Sequence, residues 1–456
     1  MKRVFAASAL VLAMNAAYAD PVYQPPGPNL TYGDVSNGQT IMSAITNPAA
    51  AAVGLEKGEN QYRFGVLSSI GIGFEYGQVD NVTDVIDQNA DAFDTSGVVI
   101  TNPADVAGSA DAQVKAINDT MRVVQADGYV KAMLSGHLPV MPLVVTHQGL
   151  GGSLVLDING SIVSNARVYQ DDIQFDAVAL QNDMTTNPGL ATYTQGDVTI
   201  NGANTANPTL AVNNDTSLLV KGASTAEVAL GYSRPVMDLG GGKLYGGLRA
   251  KYYQVGLARS ATRLGDLTDG SQSQFEDAMK NVATASDFGL DLGVLWVGEN
   301  FRLGATMNNI NEPSFEFDPL DLSAYDPTRS VYTRLAASET YVMESQLKLE
   351  GAAYTSSRNW VLNASFDTNP VKDPLGDEYQ WAVVSAAYAS DSALIPGFRV
   401  GYRSNLGEGG LDYASLGATL FKALNLDVAF ALDSAEVDGS TLPRGYMVNL
   451  GLEVTF

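Results

Sequence analysis

Residues Tyr446 to Phe456 alternate without a break. Tyr446, Val448, Leu450, Leu452, Val454 and Phe456 fall on one face of an extended chain, and Met447, Asn449, Gly451, Glu453 and Thr455 fall on the other. A period of two with one greasy face predicts a strand. An apolar face that runs to a terminal Phe reads as the closing strand of an outer-membrane barrel, with lipid on one side and a polar lumen on the other. The same grammar recurs upstream. Phe288, Leu290, Leu292, Val294 and Trp296 oppose Asp287, Gly289, Asp291 and Gly293, and Phe301, Leu303, Ala305 and Met307 oppose Arg302, Gly304, Thr306 and Asn308. Trp360, Leu362, Ala364 and Phe366 form another such face, as do Leu426, Val428, Phe430 and Leu432. Further candidates lie near 60–77, 129–147, 152–175, 218–234, 243–256, 340–354, 378–390, 396–404 and 412–421.

These segments predict an all-β fold, a transmembrane antiparallel β-barrel of about fourteen strands, with about 12 to 16 as the range. The spread comes from Pro139 and Pro142 inside 129–147, and from Asn159-Gly160 inside 152–175, each of which could split a segment in two. The connections favour fourteen. Joins near 148–151, 235–242, 299–300, 355–357, 391–395 and 422–423 are short, whereas four of the alternate ones, near 78–128, 176–217, 257–284 and 309–339, are long. Short turns on one rim and long loops on the other is the asymmetry of outer-membrane barrels.

Two stretches depart from strand grammar. Residues 103–127 read as an amphipathic helix within the first long loop, and Gln272–Val282 as a shorter one. Ahead of the first strand, Asp20–Asn60 is punctuated by Pro and Gly and carries a small-residue helical run at Ile41–Val53. Such a segment either sits in the periplasm or folds back as a plug. The chain therefore divides into a leader (1–19), a plug or periplasmic segment (20–59) and a barrel (60–456).

The leader is a secretory signal: Lys2 and Arg3, an apolar run from Val4 to Ala13, then Ala17-Tyr18-Ala19 as the cleavage pattern. It implies export to the outer membrane of a Gram-negative bacterium. The net charge of -24 argues against nucleic acid as a partner. The absence of cysteine removes disulfides and thiol chemistry. Expected partners are outer-membrane lipid, the barrel-assembly machinery through the strand ending at Phe456, and a small ligand, hydrophobic molecules included.

Asn47-Pro48-Ala49-Ala50, just ahead of the first strand, resembles the Asn-Pro-Ala element of the FadL-type outer-membrane transporters of hydrophobic compounds. That resemblance implies a hatch within a fourteen-stranded barrel. A closer likeness is to a group of barrels named after the conjugal transfer protein TraF. It rests on Phe288-Gly-Leu-Asp-Leu-Gly-Val294, Arg302-Leu-Gly-Ala-Thr-Met-Asn-Asn-Ile-Asn-Glu-Pro-Ser-Phe315 and His137-Leu-Pro-Val-Met-Pro-Leu143. The name implies architecture more than a role in DNA transfer. The thioredoxin-like TraF is a different, soluble protein, and a chain without cysteine cannot share its chemistry.

Candidate chemistry is sparse. His137 and His147 lack an accompanying nucleophile motif, so no catalytic residue is assigned and no enzyme activity or cofactor is expected. Asp238-Leu-Gly-Gly-Gly-Lys243 reads as a turn between strands rather than a phosphate loop. The clusters Asp80/Asp84/Asp87/Asp91 and Asp318/Asp321/Asp326 lack the pattern of a calcium loop and read as solvated surface, so no metal site is assigned. The lumen is richer. Arg249, Lys251, Asp287, Asp291, Arg302, Glu344, Arg399 and Arg403 are candidate inward residues, of both signs, on neighbouring strands. Trp296, Trp360 and Trp381 are expected on the outer face as an aromatic girdle. The leading expectation is passive passage of a small molecule past a plug hinged at Asn47, Pro48 and Ala49. The alternative is a structural envelope component that transports nothing.

Overall fold

A computed structural model describes residues 21–36, 40–57, 61–78, 80, 102–205, 208–266, 282, 284–390, 392–437 and 440–455. The leader 1–19, residues 272–281 of the second expected helix, and Phe456 lie outside the described residues.

The alternating segments build one closed antiparallel barrel of fourteen wall strands. They are β1 (Gln61–Tyr76), β2 (Tyr129–His137 continued by Leu143–His147), β3 (Gly152–Tyr169), β4 (Ser217–Leu239) and β5 (Gly242–Arg263). β6 (Thr284–Gly298), β7 (Phe301–Asn308), β8 (Gln346–Tyr354), β9 (Trp360–Asp367) and β10 (Trp381–Tyr388) continue the wall. It is completed by β11 (Gly397–Asn405), β12 (Asp412–Leu420), β13 (Leu424–Ala431) and β14 (Gly445–Thr455). β14 pairs with β1, for example Ile72 with Val448, which closes the ladder. Closure matters because lipid offers no hydrogen bonds to a free strand edge. Among the described residues no helix is long and apolar enough to cross a membrane.

The two contested segments are each one wall strand. β2 is interrupted at 138–142, yet both halves pair with β1 and with β3. Asn159-Gly160 runs straight through β3, paired with Glu227 and Ala226. The Gly-rich turn joins β4 to β5 through Gly240 and Gly241, whose φ values of 53° and 81° favour glycine.

Burial follows the alternation. Leu290, Leu292, Val294, Leu362, Phe366, Leu426, Tyr446, Val448 and Leu450 are exposed on the outer face, while Asp291, Asn363, Asp427, Met447 and Asn449 are buried. Trp296 packs edge-on against Phe301, and Trp360 is exposed against Tyr388, so both belong to the outer face. Trp381 does not. It is 4 % exposed and points inward with Val383 and Ser385. β10 carries apolar residues on both faces, so alternation alone left its phase open.

The long-loop rim carries structure of its own. Helix α3 spans Pro103–Asp127 as expected, capped by Asn102, whose side chain accepts from Ala104 N and Asp105 N. The next long loop holds helix α4 (Ala177–Thr186) and a three-stranded sheet over 192–212, which sequence patterning missed. Val106, Ala110, Val114, Leu180, Tyr193 and Ile200 give α3, α4 and that sheet a shared apolar core outside the barrel.

Candidate functional site

The barrel is not empty. The described part of 21–57 lies inside it, with Tyr23, Leu30, Val35, Met42 and Ala51 among the buried residues. Helix α1 (Asn29–Tyr32) packs on β10 to β13, and the 3-10 turn at Ala50–Lys57 packs on β2 to β5, so the segment crosses the lumen from wall to wall. The helical run expected at 41–53 breaks in the middle. Helix α2 (Ser43–Thr46) stops at Asn47, which is extended at φ -129° and ψ 119°. Pro48 dictates that break, because a residue before proline is driven out of the helical region.

Asn47 then becomes an anchor. Its Nδ2 donates to Val294 O at 3.1 Å and to Glu350 Oε1 at 2.7 Å, and its Oδ1 accepts from Ala49 N at 2.9 Å. Asn47-Pro48-Ala49 lies flat on the wall where Gly247 of β5 pairs with Gly293 of β6. A Cβ on Gly293 would overlap Asn47 Oδ1 and come within 2.8 Å of Pro48 Cδ, and one on Gly247 would overlap the Pro48 carbonyl. Paired glycines thus make the berth for this element.

The inward charges mostly hold the plug's own backbone. Arg403 donates to Leu30 O at 3.0 Å, Arg302 to Ser36 O at 2.5 Å, and Arg249 to Ile45 O. Carboxylates do the converse. Glu350 accepts from Ser36 N and from Ser36 Oγ at 2.8 Å, and Glu453 accepts from Ile41 N at 2.7 Å. An irregular segment has few internal hydrogen bonds, so its buried N–H and C=O groups need partners from the wall. Ion pairs brace those partners: Arg249 and Lys251 on Asp291 at 2.7 and 2.8 Å, Arg399 on Asp427 at 2.5 Å, and Lys348 on Asp34 at 2.5 Å. Trp381 joins the same scaffold, donating to Val22 O at 2.8 Å beneath the Arg403 guanidinium.

Of the candidate inward residues, Arg249, Lys251, Asp291, Arg302, Arg399 and Arg403 converge on this scaffold. Asp287 keeps inward parity but sits half-buried near the loop rim, where it accepts from Ser314 N at 3.1 Å. Glu344 is not on a wall strand: the strand expected at 340–354 begins only at Gln346, and 340–342 pairs instead with 314–316. Glu344 therefore belongs to a loop, where it accepts from Lys372 N. The strand alternation also places Glu350 and Glu453 on the inward face; what they hold, and the role of the glycine pair, emerge only from tertiary contacts.

A second element enters the lumen from the long-loop rim. The connection between β9 and β10 folds into a hairpin (371–372 paired with 378–379) with Val371, Asp373 and Leu375 buried. It reaches the opposite wall, seven strands away. There Lys131 of β2, with no exposed surface, binds Asp373 at 2.5 Å, Asp377 at 2.7 Å and Tyr379 Oη at 2.8 Å. Arg167 of β3 adds a bond to Asp377 at 2.6 Å. Burial pushes the Asp373 carboxyl above its usual range. Burial also opposes the Asp377 anion, but Lys131 and Arg167 together hold it below that range.

Between plug, hairpin and wall lies a cleft with ≈ 1070 Å³ of non-atom space, open solvent at its mouth included. Tyr253, Tyr341 and Trp381 line it, with Lys251, Lys348 and Glu344. The lining mixes these charged side chains with aromatic and apolar ones such as Val22, Ile45 and Met343. Neither histidine lines it. His137 is buried with Asp157 at 3.3 Å, and His147 accepts from Gly149 N at a turn. Of the first acidic cluster only Asp80 falls among the described residues. In the second, Asp321 and Asp326 accept from the backbone of Ser323 and Thr328.

Residues 44–367 match the family described as "F plasmid transfer operon, TraF, protein". This chain belongs to that family. No curated protein matches the chain by sequence. Among solved structures, this TraF-family barrel overlaps the toluene transporter TodX of Pseudomonas putida at 12 % identity, covering 97 % of this chain and 98 % of that one, with a TM-score of 0.39. A mutant porin of Rh. blastica overlaps at 8 % identity over 87 % of this chain and 99 % of that one, with a TM-score of 0.25. The TraF-family architecture stands on its own closed strand pairing.

Proposed function

We propose that the protein is a passive outer-membrane channel for a small molecule, with residues 20–59 as its displaceable plug. The carrying observation is the way the plug is held. Its backbone is tied to the wall by side-chain hydrogen bonds from Arg249, Arg302, Arg403, Glu350 and Glu453, each of which water can replace. A net hydrogen bond of this kind stabilises by about 1 kcal/mol, or somewhat more where one partner is charged. Apolar contacts add to this hold, with Met42 and Ile45 packed on Val144 and Val155 and Val35 on Val361, so displacement must open these clusters as well.

A ligand enters among the long loops, rests in the cleft above the plug, and leaves as the plug moves or through the wall. Support for the wall route comes from β1 and β2. Their regular pairing stops at Phe64–Leu143 and resumes at Ile70–Gly136, and β1 shifts register against β14 over the same residues. The test is bilayer conductance and small-molecule uptake for the intact chain and for the chain lacking 20–59. Conductance that rises on deletion supports the channel; silence from both forms removes it.

A second reading is favoured by one observation. The plug and the 371–379 hairpin both occupy the lumen, and a blocked lumen suits a structural envelope component whose long loops meet a partner. The family description points to a transfer operon, which is compatible with that role.

A further inference from the structure

The two closures of the lumen share one set of contacts. Tyr23, near the start of the plug, is buried, and its ring meets that of Tyr379 in the hairpin at 6.5 Å and a tilt of 59°. Tyr379 in turn lies 5.8 Å from Trp381, the residue of β10 that donates to Val22 O. The fastening of the hairpin reaches the same point. Lys131 Nζ, bound to Asp373, Asp377 and Tyr379 Oη, stands 5.8 Å from the centre of the Tyr23 ring. Tyr23 and Leu30 of the plug also belong to one buried apolar cluster with Leu375 and Tyr379 of the hairpin. Neither closure therefore moves alone. Withdrawing the plug uncovers Leu375 and Tyr379, and lifting the hairpin uncovers Tyr23 and Leu30, each exposing apolar surface at a cost that grows with its area.

We propose that the hairpin and the plug are interlocked through Tyr23, so that opening at the loop rim releases the plug and a seated plug keeps the rim closed. The interlock rests on the channel reading for its biological purpose, but it concerns the two closures themselves and is measured without flux. Pro21 and Val22 of the plug and Lys372 and Pro374 of the hairpin line the same cleft, so a molecule arriving from the loop rim comes between the closures. Coupling of this kind is reciprocal: whatever factor the hairpin imposes on release of the plug, the plug imposes on release of the hairpin. The far end of the plug, at Asn47–Ala49, lies outside the shared cluster. Each closure can thus be loosened at a point of its own and the effect read on the other.

The experiment is limited proteolysis of the full-length protein in detergent, with cleavage rates followed by mass at three places. Two are the closures, 20–59 and 368–380; the third is the rim sheet over 192–212, whose core is shared with neither. Lys131→Met loosens the hairpin and is expected to speed cleavage of the plug about tenfold as well. Arg167→Met, which cuts the bond to Asp377 from β3, should act in the same direction. Asn47→Leu loosens the plug from its far end and should speed cleavage of the hairpin by a similar factor. Tyr23→Ala removes the shared side chain: hairpin cleavage rises in that variant alone, and the crossed effects of Lys131→Met and Asn47→Leu fade when added to it. One closure cleaved faster while the other keeps its original rate overturns the interlock. So does an unchanged hairpin rate in Tyr23→Ala, which depends on neither of the other variants, and so does a general rise that includes 192–212. Crossed effects without conductance, with or without 20–59, remove the channel and leave the interlock; conductance that rises on that deletion without crossed effects removes the interlock and leaves the channel.

Discussion

Gly247 and Gly293 show what a single hydrogen atom decides. Both face inward from the centre of paired strands, where a glycine ordinarily weakens a sheet, and a plug backbone lying against them accounts for their presence. Gly247→Ala puts its methyl onto the carbonyl of Pro48, a backbone atom that no rotamer change can move aside. The expected outcome is a barrel that still forms, with its plug expelled: bilayer conductance rises while heat-modifiable migration on gels is unchanged. Asn47→Leu attacks the same berth from the plug side. It removes two donated hydrogen bonds and leaves the Glu350 carboxylate less satisfied, a loss of about 1–3 kcal/mol. Proteolysis of 20–59 in the folded protein should accelerate accordingly. Gly293 was visible in the alternation as a small residue opposite the apolar face, but only the fold shows what it and Gly247 accommodate.

The hairpin at 371–379 is a strap fastened across the lumen. Its fastening is one lysine with no exposed surface and two carboxylates, and breaking such a buried pair by removing one partner costs about 3–5 kcal/mol. Lys131→Met should therefore release the strap, read as protease cleavage within 368–380, whereas adding Asp373→Asn and Asp377→Asn to it should restore part of the protection. Acid alone should act late. Asp377 has a depressed carboxyl, so its contribution is full above the ordinary aspartate value of about 3.9 and is lost only as pH falls through its lower folded value. Asp373 runs the other way: a raised carboxyl gains, not loses, as it protonates. A dye on Lys372→Cys, the sole thiol in this cysteine-free chain, should keep constant emission from pH 8 to about 4.5 and change below about 3.9. The strap was not legible in the sequence. Val371-Lys372 and Glu378-Tyr379 are too short to show a period, and Lys131, its anchor, lies far from it along the chain.

At the scale of the whole molecule, lipid is the solvent that the alternation answers to. Leu292 is exposed on the outer face between Leu248 and Met307. Leu292→Arg should cost about 2–4 kcal/mol if it sits near the bilayer midplane, measured as a lower denaturant midpoint for refolding into vesicles. Thr306→Arg, on the lumen face, should instead disturb the plug. The wall was readable because a strand repeats every two residues, so inside and outside write themselves along the chain. Strand number followed from the short and long connections, and the helix at Pro103–Asp127 from its cap and its period. Where both faces are apolar, as in β10, the period fell silent and Trp381 was assigned to lipid when it braces the plug. The sequence by itself determined a membrane barrel, its inward charges and a segment ahead of it able to fold inside. Only the tertiary structure decided what those charges hold, because the partners of Arg249, Arg302, Arg403 and Glu350 are backbone groups of the plug. Every residue carries the same backbone groups, so no pattern of side chains can announce which of them a distant arginine will meet.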